Sequence, residues 1–386
     1  MTLDSRLRDR SARIGVLGLG YVGLPLAMEF CRKGFKVSGF EVNRARVGAL
    51  LKGRSYVSDV PSAELRRFVK SGGLEADWRF NRLSACDVVI ICVQTPLRKS
   101  KEPDLSHIVA AVEQLARRTK KGQLIVLEST TFPGATEEVV QPILERDGRK
   151  LGRDFFLAFS PERGDPGNSR WGIANTPKVV GGADMASTKL AQELYSAIVS
   201  EVVPVSSARA AEMAKLLENS FRAVNIALVN EMAQVCHRLG LDVWEVIAAA
   251  ASKPFGFMPF WPGPGIGGHC IPKDPQLLTW KMKSLNFEAR FIQLASTING
   301  SMPRYTVDRL AGLLNRDRKP LAGSRVLVLG VAYKAGSSDY RESPSLDVMQ
   351  LLLEAGAEVR YHDAFVPKLE LGSRKFSSVS LTDAAL

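Results

Sequence analysis

Residues 12–23 read ARIGVLGLGYVG, and how this stretch is read decides the fold. The apolar run through Leu17 is short and uninterrupted after Arg13, the pattern of a strand buried on both faces. Glycines follow at Gly18, Gly20 and Gly23, with Tyr21 and Val22 between them, and then the helical sequence LPLAMEFCRKG. Gly18 permits a tight turn, Gly20 lets backbone approach a pyrophosphate, and Gly23 lets helix and strand pack closely. The N-terminus of such a helix offers amide hydrogens and partial positive charge to phosphate. Glu41 closes the next strand, KVSGFEV, where a carboxylate accepts hydrogen bonds from a ribose diol and repels a 2′-phosphate. NAD is therefore the expected cofactor, and Arg44 close by is the residue that would speak for NADP instead.

Working outward, DVVIICVQTP from Asp87 and QLIVLEST from Gln123 are further strands with helical sequence between them. This alternation predicts an α/β fold with a Rossmann-type, doubly wound parallel sheet over residues 1–207. From Ala208 the pattern changes to more than thirty residues of helical periodicity without proline, the start of a central all-α region over 208–302. A strand–turn–helix pattern returns from Ser324 as SRVLVLGVAYK, SPSLDVMQLLLEAGA and EVRYHD, predicting a second, Rossmann-like nucleotide domain over 303–386.

At 386 residues the chain is too long for one ordinary core. Its net charge of +12 favours anionic partners, but the basic residues are dispersed and form no long tract, so a nucleic-acid-binding role rests on charge alone. No apolar run is long enough to span a membrane, and MTLDSRLRDR at the start is charged rather than leader-like. Five cysteines without paired spacing predict reduced thiols and a cytoplasmic protein.

One of those thiols, Cys270, sits in PGPGIGGHCIPKDP, residues 262–275. A thiolate is a nucleophile, a nearby cation such as Lys273 favours it, and the preceding glycines leave room for a substrate. A buried structural thiol is the alternative, and composition leaves both open. His269 beside it has no second Cys/His pair at ligand spacing, so no metal site is expected. His107, His237 and His362 read as surface or packing residues.

The chain resembles the nucleotide-sugar 6-dehydrogenases of the UDP-glucose/GDP-mannose dehydrogenase family. The resemblance runs over nearly the whole length, through GLGYVGLPLA, VQTPLRKSKEPDLSHI, LESTTFPGATEEVV, SPERGDPGN, KLLENSFRAVNIALVNEMA, GPGIGGHCIPKDP and VLGVAYKAGSSDYRESPSL in that order. PFGFMPFWPGPGIGGHC and LLTWK are most similar to the branch acting on UDP-N-acetylglucosamine. Lys273 is similar instead to the UDP-glucose enzymes, the runner-up.

The resemblance implies an NAD-dependent, four-electron oxidation of a sugar C6 alcohol to a carboxylate. Cys270 would hold the aldehyde as a thiohemiacetal and then a thioester. Lys215 would stabilise oxyanions, with Asn219 one turn on. Asp274 would position or deprotonate water together with Thr130, and Glu162 would contact the sugar or act as a base. Arg46, Thr95, Pro96 and Thr130 would join the glycine turn and Glu41 around the cofactor. Glu162, Arg163, Lys215, Asn219, Asn225, Phe255, Gly256, Gly267, Lys334 and Arg341 would meet the UDP-sugar. The bland alternatives are a solvated Lys215, Glu162 paired with Arg163, and Arg341 paired with Asp339 or Glu342. The long helix would form a homodimer, with neither nucleic acid nor membrane as a partner.

The chain stops at Leu386 after strand, helix and strand, sooner than the resemblance implies, so the C-terminal UDP-binding domain is expected to be truncated. Two other functions compete. A two-electron hydroxyacid dehydrogenase would not need Cys270, and a catalytically inactive NAD-binding protein would bind the cofactor without turnover.

Overall fold

The computed structural model describes residues 2–98, 100, 102–164, 168, 170–268 and 270–381. The chain divides into two compact units, Met1–Leu216 and Leu217–Leu386.

The first unit begins with α1 (Leu3–Arg8), β1 (Arg13–Leu17), α2 (Gly23–Arg32), β2 (Lys36–Phe40), α3 (Arg44–Leu51), α4 (Ser62–Lys70) and β3 (Leu74–Asp77). It continues through β4 (Val88–Ile91), α5 (Ser106–Ala116), β5 (Gln123–Leu127), α6 (Gln141–Leu144), β6 (Phe155–Phe159), β7 (Lys178–Gly182), α7 (Met185–Ser196) and β8 (Val202–Pro204). All eight strands form one sheet in the order β3-β2-β1-β4-β5-β6-β7-β8. Neighbours run parallel except β6 and β7, which pair antiparallel through Ala158 and Gly182. Leu17 lies opposite both Phe40 and Ile91, so the strand order reverses between β1 and β4. Their carboxyl ends open the crevice where doubly wound sheets bind ligands.

Period-two alternation builds two cores from the same strands. Ile14, Val16, Val88, Ile90, Leu124 and Val126 point into one. Leu17, Val89, Ile91, Ile125 and Leu127 point into the other. Burial on both faces explains the unbroken apolar runs, each such side chain contributing about 1.5–3 kcal/mol. At the start of β4 the buried Asp87 accepts from Arg13 N (2.8 Å), Arg6 Nη1 (2.7 Å) and Lys120 Nζ (2.6 Å).

α8 (Ala208–Leu239) starts within the first unit and continues into the second. It is followed by α9 (Val243–Ala251), α10 (Cys270–Lys283) and α11 (Arg290–Arg316), which carries the chain across 302/303. Then come β9 (Arg325–Leu329), α12 (Pro344–Glu354), β10 (Glu358–His362), β11 (Lys368–Leu371) and β12 (Arg374–Ser377). β9 and β10 pair parallel, whereas β11 and β12 form an antiparallel hairpin. Met349, Leu352, Tyr361, Val366 and Leu369 form the core here. Gly330 N donates to His362 O at 2.8 Å, as Gly18 N does to Phe40 O at 2.8 Å, so both strand ends turn in the same way. Among the described residues no helix is long and apolar enough to cross a membrane.

Candidate active site

The glycine turn lies at the switch point of the sheet. Gly18 has φ +87°, and a Cβ there would meet Cys92 O at 2.6 Å. A Cβ on Gly23 would collide with Gly18 O, whereas Gly20 faces open space. Val22 caps α2 without any side-chain hydrogen bond, and the first turn holds no acid; Leu24 N donates to Gly20 O at 3.1 Å and Pro25 has no N–H, so the Gly23 amide is the one this turn can offer an anion. Glu41 is buried at the end of β2, accepting from Leu19 N (3.3 Å) and Asn43 N (3.0 Å), with Arg46 Nη1 3.7 Å away. Tyr21 is exposed beside the turn. Across the crevice, after β4, Pro96 is half-buried and Thr95 Oγ1 is buried without a protein partner. An open glycine, an uncapped helix end, an acid beside them and an orphaned hydroxyl fit a dinucleotide.

The same unit brings Glu162 and Lys215 together, though 53 residues separate them. Lys215, buried on α8, donates through Nζ to Glu162 O at 2.5 Å. Glu162 Oε1 accepts from Gly164 N, and Arg163 donates to Pro177 O at 2.6 Å. Thr130 is half-buried after β5, while its neighbour Thr131 is buried with an unpartnered hydroxyl.

Glu212, which the sequence reading passed over, lies one turn before Lys215 on α8. Its carboxylate accepts from Gly134 N (2.5 Å), Thr136 N (2.9 Å) and Thr136 Oγ1 (2.6 Å), tying α8 to the loop after β5. Burial pushes this carboxyl up to about 7 against the pull of those hydrogen bonds. Glutamate in an unfolded chain ionises near about 4.3. The folded state therefore keeps the proton longer, and the stability it confers is full below that value and lost as pH rises through about 7. Glu212→Gln, neutral throughout, is expected to flatten the fall in melting temperature between about pH 5 and pH 8; an unchanged slope in thermal melts would contradict this.

In the second unit Cys270 is exposed as the first residue of α10, the end where backbone N–H groups and partial positive charge collect. Asp274 follows one turn later, buried, and accepts from Asn219 Nδ2 of α8 at 2.6 Å. Lys273 pairs with Glu342 at 3.0 Å. The loop glycines also let other parts of the chain pack closely against them. A Cβ on Gly267 would meet Tyr333 Cβ at 2.8 Å and Pro344 Cδ at 2.9 Å, and one on Gly268 would meet the Tyr333 ring at 2.9 Å. The Arg341 guanidinium donates twice to Asp339, at 2.8 and 2.7 Å, and the Arg341 amide donates to it at 3.1 Å. Asn225 donates to Phe221 O at 2.7 Å within α8, Phe255 and Gly256 are exposed, and Lys334 is half-buried. His269, Asp165, Pro166 and Gly167 lie outside the described residues.

The sheet order and the turn at its switch point define the class as that of dinucleotide-binding doubly wound proteins. Comparison with known proteins narrows it. The NAD binding domain of the UDP-glucose/GDP-mannose dehydrogenase family matches residues 12–199, the central domain 209–301 and the UDP binding domain 327–385. The chain belongs to this family, and it is an NAD-dependent enzyme that oxidises a UDP-sugar. It is 37% identical over 359 residues to the UDP-N-acetyl-D-glucosamine 6-dehydrogenase of Pseudomonas aeruginosa, covering 92% of this chain and 84% of the relative. It is 36% identical over 355 residues to the UDP-N-acetyl-D-mannosamine dehydrogenase of Pyrococcus horikoshii, with the same coverages of 92% and 84%. The NDP-N-acetyl-D-galactosaminuronic acid dehydrogenase structure from Methanosarcina mazei Go1 superposes with a TM-score of 0.84 at 35% identity, covering 98% of this chain and 85% of that one.

Proposed function

We propose that this enzyme oxidises C6 of UDP-N-acetylglucosamine to the uronate in two steps, supplying a charged sugar for polysaccharide synthesis. The observation that carries the reading is the exposed Cys270 thiol at the head of α10, with Asp274 one turn behind it and held by Asn219. A two-electron dehydrogenase needs no such thiol. The relatives named for N-acetylated sugars support the substrate, and UDP-glucose is the second reading because of Lys273.

NAD⁺, when bound, accepts hydride from carbon. Gly18, Gly20, Gly23, Glu41, Arg46, Thr95 and Pro96 would hold and orient it. The Lys215 ammonium has three donors, of which one goes to Glu162 O, and it stabilises the C6 alkoxide. Cys270 adds to the aldehyde to form a thiohemiacetal, whose oxidation leaves a thioester. Asp274, with Thr130, positions the water that cleaves the thioester and frees the thiol, and Glu162 serves as base or sugar contact. Asn225, Phe255, Gly256, Gly267, Lys334 and Arg341 contact the nucleotide sugar. Leu217, Phe221, Leu228, Val235 and Leu239 form an exposed apolar stripe along α8, which supports a homodimer through this helix. The functional domains are residues 1–207, 208–302 and 303–386, and reduced thiols with NAD suit the cytoplasm.

The test is stoichiometry. Offered UDP-N-acetylglucosamine, UDP-N-acetylmannosamine, UDP-N-acetylgalactosamine and UDP-glucose in turn, the protein is expected to favour the first and to release two NADH per sugar. A ratio of one refutes the double oxidation. NAD⁺ binding with no turnover of any of the four refutes the enzyme.

A further inference from the structure

The first unit buries an ion pair and a tyrosine that the roles above do not use. Glu128 directly follows β5, Lys178 opens β7, and Tyr195 lies on α7. The Lys178 and Glu128 side chains are 6% and 0% exposed, with Nζ 2.5 Å from Oε1. The Tyr195 hydroxyl donates to Glu128 Oε2 at 2.7 Å, and the ammonium stands 4.8 Å from the centre of the Tyr195 ring. Burial pushes the Glu128 carboxyl up to about 7, against the pull of Lys178. Burial alone would lower the Lys178 ammonium, but the carboxylates of Glu128 and Glu162 hold it above its ordinary range.

Such a pair is a costly way to hold a fold together. Taking two charges out of water is expensive, and apolar residues of equal volume are frequently as stabilising. Its position supplies another reason for it. Lys178 Nζ also donates to Pro161 O at 3.4 Å, and the next carbonyl along, Glu162 O, is the one that accepts Lys215. The pair thus links the ends of β5 and β7 to the turn after β6. That turn carries Glu162, whose charge acts on both members.

We propose that Lys178, anchored by Glu128, is a positioning residue that sets the Pro161–Glu162 turn and so aims the Glu162 carboxylate. This rests on the reading of Glu162 as a residue of the reaction. The test is a double-mutant cycle of Lys178→Met and Glu162→Gln, assayed with NAD⁺ and whichever of the four UDP-sugars the enzyme turns over best. Lys178→Met is expected to lower kcat about tenfold or more, to leave KM for NAD⁺ within about twofold, and to cost much less in the Glu162→Gln background. An equal loss in both backgrounds, a rise in KM for NAD⁺ that accompanies the fall in kcat, or no loss at all overturns the proposal. Full turnover by the Glu162→Gln single variant sinks the role of Glu162 itself, and shows separately. Should a lone Glu128 prevent folding, Glu128→Gln with Lys178→Met removes both charges and enters the same cycle with the same expectation. Failure of both variants to fold assigns the pair to the fold and overturns the proposal.

Discussion

Cys270→Ser is expected to lower uronate formation by roughly a thousandfold or more, the scale on which covalent catalysts lose activity with their nucleophile. Serine keeps the size and the polarity of the position, so substrate binding should change little. A serine hydroxyl at neutral pH is a far weaker nucleophile than a thiolate and lacks a low-pKa leaving group for the last step. The first oxidation is affected less than the second. Product acid, followed by mass spectrometry, should therefore vanish while a trace of aldehyde remains trappable. Near-normal acid production by this variant would remove the covalent scheme and leave the simpler two-electron chemistry.

The second large effect concerns Lys215. Lys215→Met is expected to reduce kcat by about 10²–10³, as removal of an oxyanion donor does, with KM for both substrates within a few-fold. Lys215 is buried and already directed at Glu162 O, so its ammonium is held before charge develops on the substrate oxygen. Methionine fills much of the same volume, which separates lost charge from lost packing. A loss smaller than about threefold would return Lys215 to a structural role on α8.

Local pattern carried the cofactor half of the molecule. Three glycines after a buried strand, and an acid ending the next, are adjacent in sequence and remain so in space. The long helix was equally plain, because more than thirty residues hold one period without proline, and α8 spans Ala208–Leu239. By contrast α11 hides Gly300 and Pro303 in its interior, residues that ordinarily argue against a helix, so its 27 residues were not anticipated. The β11–β12 hairpin is four residues a side, too short to show an alternation. The contact of Asn219 with Asp274 joins positions 55 apart, and only the motif order of a family could suggest both. Glu212, Glu128 and Lys178 went unnoticed because a charged residue looks solvated until packing buries it. The one available signal was that Glu212 shares a helical face with Lys215. The packing role of the loop glycines was also hidden. Small residues at Gly267 and Gly268 let Tyr333 and Pro344 approach the loop backbone, positions more than sixty residues away in sequence.

The buried carboxylate of Asp87 has a consequence for how accurately the catalytic crevice is assembled. A strand apolar on both sides can slide by one residue and still keep every side chain dry, so greasiness alone gives β4 no ruler. Asp87 supplies one. It is the first polar group at that strand's beginning, and sliding it away from Arg6, Lys120 and the amide of Arg13 would strand a charge. One step of slippage would carry the far end, where Cys92 lies against Gly18, about 3.3 Å out of place. A salt contact at the floor of the sheet thereby calibrates the geometry at its rim.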